Sequence, residues 1–149
     1  MEIEAFVQHV IDNERPSFSD LSSESIPQLA NRLKEEADRY FRGTPAISLR
    51  LADTIIELGK LFNDISITAL GTMARGDALR MFHRNDEAWQ SLDLAGALYK
   101  EVGDPVGWAR TRIGRLAICV EMNNVELGLQ DAETARDIFR TYNELEKLV

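Results

Sequence analysis

Much of the chain is written twice. Set against itself with a shift of 40 (103 − 63), the stretch from Leu58 to Tyr142 falls into columns that keep their chemical type. Gly103-Asp104 lies under Asn63-Asp64, Ala109 under Ala69 and Arg115 under Arg75. Gly128 lies under Ala88, Ala132 under Leu92, Ala135 under Ala95, Ile138 under Leu98 and Phe139 under Tyr99. A fixed period of this size means that one supersecondary unit is stacked on copies of itself. Val, Ile and Thr nowhere alternate with polar residues over a strand length, so the unit is a pair of antiparallel helices. The expected fold is all-α, a short right-handed α-solenoid of about seven helices within one domain spanning residues 1–149.

Apolar spacing and punctuation place the helices. The first covers Glu2–Asn13, with Ile3, Phe6, Val7, Val10 and Ile11 on one face, and ends before Arg15-Pro16. Residues 14–25 are polar and serine-rich, a loop tacked down by Phe18 or Leu21. The second helix, Ile26–Arg42, has Ser25 as cap and Pro27 in its first turn. Gly43 stops it, and Thr44-Pro45 repeats the cap-and-proline arrangement for a third helix ending at Leu61. Asp64 caps the fourth, Ile65–His83, whose inward residues are expected to include Met73 and Phe82. The fifth covers Asp86–Val102. Gly103-Asp104-Pro105 supplies a C-cap glycine, an N-cap aspartate and a first-turn proline in succession. The sixth helix, Pro105–Met122, buries Trp108, Ile113, Leu116, Ala117 and Val120. The seventh runs from Val125 toward Leu148 and closes with Leu145, Leu148 and Val149. With no polar capping helix after it, the sequence reads as a module of a larger protein or one that pairs with a second copy through its C-terminal or its N-terminal helix.

Composition narrows the function. The 149 residues carry a formal net charge of −8, a poor start for phosphate-backbone binding. No apolar run reaches the ~18–20 residues a membrane helix needs. The acidic N-terminus is not a secretory signal, and the single Cys119 allows no internal disulfide. A cytoplasmic setting is the simplest expectation.

The small residues Ala88 and Ala95 around Leu92, then Gly128 and Ala135 around Ala132, resemble the second helix of a tetratricopeptide repeat. In that motif small residues stand where two helix backbones cross. Gly76 matches the motif's first-helix glycine, Leu116 replaces it in the next copy, and the tryptophan position is unmatched. The period of 40 exceeds the usual ~34. That spacing, the Gly-Asp-Pro turn and the segment Gly103–Leu116 are similar to bacterial arrays that precede caspase-like (CHAT) peptidase domains. The likeness covers residues 26–149. It implies a sensor or scaffold in a signalling protein, and no peptidase activity carries over because no peptidase domain is present.

Residues that could carry chemistry have plainer roles. Cys119 falls in register beneath Leu79, an inward position, and no histidine motif accompanies it; a buried thiol is expected. His9 and His83 lack metal-ligand companions, and His83 suits a helix C-terminus. Neither Arg75-Gly76-Asp77 nor Gly103–Gly107 is a phosphate loop. Glu35-Glu36 and Asp86-Glu87 read as solvated or first-turn acids. Trp89, Tyr99 and Phe139 read as core. No enzyme activity, cofactor or metal is expected.

The arginines carry more weight. Arg75, Arg80, Arg110, Arg112 and Arg115 all fall in first helices of their pairs, which in the tetratricopeptide architecture line the concave wall. They read either as a basic stripe for an acidic peptide or a terminal carboxylate, or as partners of Asp77, Glu121 or Asp131 within the chain. Trp108, near the start of its helix, is the aromatic best placed for a ligand. The expected function is capture of a protein or peptide in a preformed groove lined by Met73, Asp77, Arg80, Trp108, Arg110, Arg112, Ile113, Arg115, Ala117 and Glu121.

Overall fold

The computed structural model describes residues 2–148, with side chains described through residue 143. It is all-α: α1 (Ile3–Ile11), α2 (Ile26–Tyr40), α3 (Pro45–Leu61), α4 (Ile65–Met81), α5 (Asn85–Glu101), α6 (Pro105–Glu121) and α7 (Val125–Leu148). Among the described residues no helix is long and apolar enough to cross a membrane.

From α3 onward the helices begin at residues 45, 65, 85, 105 and 125, a step of 20 (65 − 45). The cause lies in the joints. Asn63, His83, Gly103 and Asn123 all adopt left-handed backbone, at φ between 51° and 71°. The amide of the next residue then reaches back to a carbonyl five residues earlier: Asp64 to Gly59, Arg84 to Leu79, Asp104 to Tyr99 and Asn124 to Cys119, each within 2.8–3.1 Å. This pattern satisfies the orphan carbonyls of the ending helix and turns the chain by a fixed amount. Asp64 and Asp104 then open the following helices, accepting from the amides of Ile67 at 3.0 Å and Gly107 at 2.9 Å.

Two sequence-based caps are corrected. Ser25 and Thr44 make no side-chain cap bond. Ser25 itself sits in helical backbone, and its hydroxyl donates to the Ser22 carbonyl at 2.9 Å. Gly43 lies two residues past the C-cap of α2, Phe41, and has no left-handed geometry.

Neighbouring helices pack in succession, and α2–α4 and α4–α6 also touch. Among the described residues no close backbone approach joins α3, α5 and α7 to one another. The even helices therefore form one continuous layer and the later odd helices a more open one, as in a short solenoid. Two core clusters meet at α4, with Leu70 packed against both. Leu51, Ile55 and Leu58 of α3 are fully buried, as is Leu92 of α5. Burying each such side chain contributes roughly 1.5–3 kcal/mol.

The N-terminal segment is held by specific contacts. Phe18 packs edge-on against Phe6 with ring centroids 5.5 Å apart, and Leu21 joins the same cluster. Arg50 of α3 donates to the carbonyls of Val10 and Ile11 at 3.3 and 2.7 Å, closing the end of α1.

Three residues assigned inward by spacing point to solvent instead. Phe82, Ile113 and Val120 are 39, 46 and 59% exposed. For Ile113 and Val120 the reason is positional: their equivalents one repeat earlier, Met73 and Arg80, lie on the side of α4 that α6 covers, and no described helix covers that side of α6. Leu145, Leu148 and Val149 lie outside the described side chains.

Candidate peptide-binding groove

The even-helix layer makes the inner wall. Because α2, α4 and α6 run in the same direction, their N-terminal ends gather at one end of it. There Pro27, Asn31, Ser66, Leu70, Tyr99 and Arg110 line an open cleft of about 260 Å³, flanked by the cap residues Asp64 and Asp104.

Toward the other end stands Asp77 on α4. Its carboxylate reaches across to α6, where only a glycine fits comfortably: a Cβ on Gly114 would sit 3.2 Å from Asp77 Oδ1. Burial between helices pushes Asp77 up to about 6, against the opposing pull of Arg80 and Lys34. Arg80 lies 3.8 Å from it, too far for a good hydrogen bond, and the buried Arg80 Nε has no partner. His83 Nδ1 and Glu121 Oε1, 2.6 Å apart, tie the C-terminal ends of α4 and α6 together. That bond holds the Glu121 carboxyl below its ordinary value.

The arginines divide between these surfaces. Arg75 donates to Asp53 of α3 at 2.5 Å. Arg115 donates to Asp93 of α5 at 2.8 Å, approaches Asp131 of α7 at 3.1 Å and stacks over Trp89 at 4.1 Å. These two point toward the outer helices. Arg112 is buried between α5 and α6, donating to Thr111 Oγ1 and to the Leu92 carbonyl beneath the Trp108 ring. Gly96 makes room for it, since a Cβ there would lie 2.3 Å from Arg112 Nη2. Met73 is likewise core, at 4% exposed. A basic stripe of five arginines is therefore absent from the wall. Arg80 and Arg110 remain on it, and Arg110 is exposed with no ion pair among the described residues. Trp108 is half-buried, with Lys100 and Arg112 against its ring, Ala117 is half-buried, and Ile113 and Glu121 are exposed.

Other assignments settle simply. Cys119 is buried, and burial pushes its thiol up. Glu36, read from sequence as solvated, is buried and held by Arg39 at 3.1 Å and Arg32 at 3.3 Å. Among the described residues no group of three or more His, Cys, Asp or Glu side chains could hold a metal ion.

Sequence reasoning missed the carboxylate partners Asp53 and Asp93. The signal was available: each pair lies symmetrically about a turn, with Asp53 and Arg75 both 11 residues from Asp64 (64 − 53, 75 − 64) and Asp93 and Arg115 both 11 from Asp104 (104 − 93, 115 − 104). No protein-family model, curated protein or solved structure matches the chain.

Proposed function

We propose that the chain is a protein-interaction module of the tetratricopeptide type that binds a polypeptide segment along its α2–α4–α6 wall. The observation that carries this reading is Arg110. Of the five first-helix arginines it alone stands exposed and without an ion pair among the described residues, beside an open cleft at three gathered helix N-termini. Two of those termini already carry the cap carboxylates Asp64 and Asp104, so the anion-binding group is Arg110 itself, whose guanidinium grips a carboxylate in bidentate fashion. The bound segment therefore places an acidic side chain or a terminal carboxylate at Arg110. Recognition of this kind suits a sensor or scaffold within a bacterial signalling protein that passes occupancy to an effector.

Selection from a displayed library of random dodecapeptides tests this. Peptides carrying a carboxylate should be enriched, and Arg110→Glu should weaken the enriched peptides by roughly tenfold or more, since reversing the charge removes the pair and adds repulsion. Enriched peptides that bind wild type and Arg110→Glu equally would refute the groove as the site.

A further inference from the structure

The repeat carries an acidic column that is used twice and then left open. Asp53 on α3 holds Arg75 of α4, and Asp93 on α5 holds Arg115 of α6. The residue 40 further on (93 + 40) is Glu133 on α7. It is exposed and has no ion pair among the described residues. Apolar positions of the repeat on α6 and α7 follow the same rule. Met73 on α4 is 4% exposed and Trp89 on α5 is half-buried; their equivalents Ile113 and Leu129 are 46 and 48% exposed. Val120, at 59%, completes the patch.

We propose that the face formed by α6 and α7 docks one amphipathic helix from another polypeptide, lying there as α6 lies on α4 and α5, with an arginine paired to Glu133. The established α6 interface sets the register. Arg75 and Arg115 are each the eleventh residue of their helix (75 − 65 + 1, 115 − 105 + 1), so the docking helix carries its arginine there. The residue just before it is small, as Ala74 and Gly114 are, because the helix must approach closely. At the eighth position, where α6 has Arg112 in the space left by Gly96, α7 offers Arg136. A carboxylate belongs at that position of the docking helix, since a second arginine would meet like charge. A second copy of this chain added head to tail fits poorly. Its α1 end exposes Glu2 and Asp12, and Glu4 there is already paired with Arg32, so the end would set surplus acid against Glu133.

The probe is a fluorescent peptide of residues 105–121 carrying Arg112→Glu and Cys119→Ala, titrated with the full chain and followed by anisotropy. Saturable binding is expected. Glu133→Arg should weaken it about tenfold, and a peptide further changed by Arg115→Glu should recover affinity for Glu133→Arg while losing it for wild type. Circular dichroism of each variant identifies unfolding as a cause of loss, and the charge-swapped peptide then decides, because an unfolded chain cannot be rescued. No saturable binding up to about 1 mM, or binding indifferent to Glu133→Arg, would overturn the proposal. A concentration-dependent dimer abolished by Val120→Glu would also overturn it, by placing a second copy on the face.

Discussion

At Gly103 the backbone φ is 71°, and an added Cβ would meet nothing within 4 Å. Gly103→Ala therefore isolates the cost of left-handed backbone and should lower stability by about 1 kcal/mol. Gly43 is the matched control. It too has open space, but its backbone is not left-handed, so Gly43→Ala should be neutral or stabilising by up to about 1 kcal/mol. Urea midpoints at constant slope measure both; equal losses would contradict the assignment. Asp77 makes a second residue-scale prediction. Its carboxyl titrates near 3.8 in the unfolded chain and about 6 in the fold. Between those values the native state binds more protons, so stability falls as pH rises through the window, and the deficit is complete above about pH 6. Asp77→Asn should thus raise stability at pH 7.5 by roughly 1–2 kcal/mol and lose most of that gain at pH 4. A variant less stable than wild type at pH 7.5 would show that the Arg80 pairing outweighs burial. The joints at Asn63, Gly103 and Asn123 are legible in sequence because these residues tolerate positive φ. His83 is not an ordinary left-handed residue. Only its place, 20 before Gly103 (103 − 83), betrays it.

Between elements, close approach is set by pairs of sizes. Gly59 lets the backbone of Thr68 in α4 come within 2.5 Å of where a Cβ would stand. One repeat later Tyr99 stands in the place of Gly59, and the small residue that admits it is Gly107 on α6, in the place of Ile67. The same exchange explains why Leu116 stands where the repeat would have glycine: Gly76 packs near Ala88, whereas Leu116 packs on Gly128. Column by column these positions look like departures from a motif; taken with their facing residues they show which helix supplies the small side chain where two helices approach closely. Gly59→Ala must move backbone and should cost about 3 kcal/mol or more, read as a fall in the urea midpoint. A loss below about 0.5 kcal/mol would mean that α3 and α4 are not in such close contact. Helix boundaries were within reach of spacing and punctuation, to within two residues. The fate of the arginines was not, because Arg75 and Arg115 find their acids on an adjacent antiparallel helix, 22 residues away (75 − 53, 115 − 93).

For the molecule as a whole, the consequence is an ordering in which each even helix touches the next even helix and α5 bridges α4 and α6. Leu92 sits at that junction. Fully buried, it packs against Gly76 of α4 and Gly114 of α6 at once. The 40-residue columns make stacking legible, but they do not say which side of α6 remains open; that depended on seeing Ile113 and Val120 exposed where Met73 and Arg80 are covered. The inner wall, the open end face and both binding proposals rest on this layering. Nuclear Overhauser spectroscopy on methyl-labelled protein tests it most directly. Leu92 methyls should show cross-peaks to the Hα protons of both Gly76 and Gly114. Cross-peaks from Leu92 to only one of the two glycines would contradict the layered solenoid.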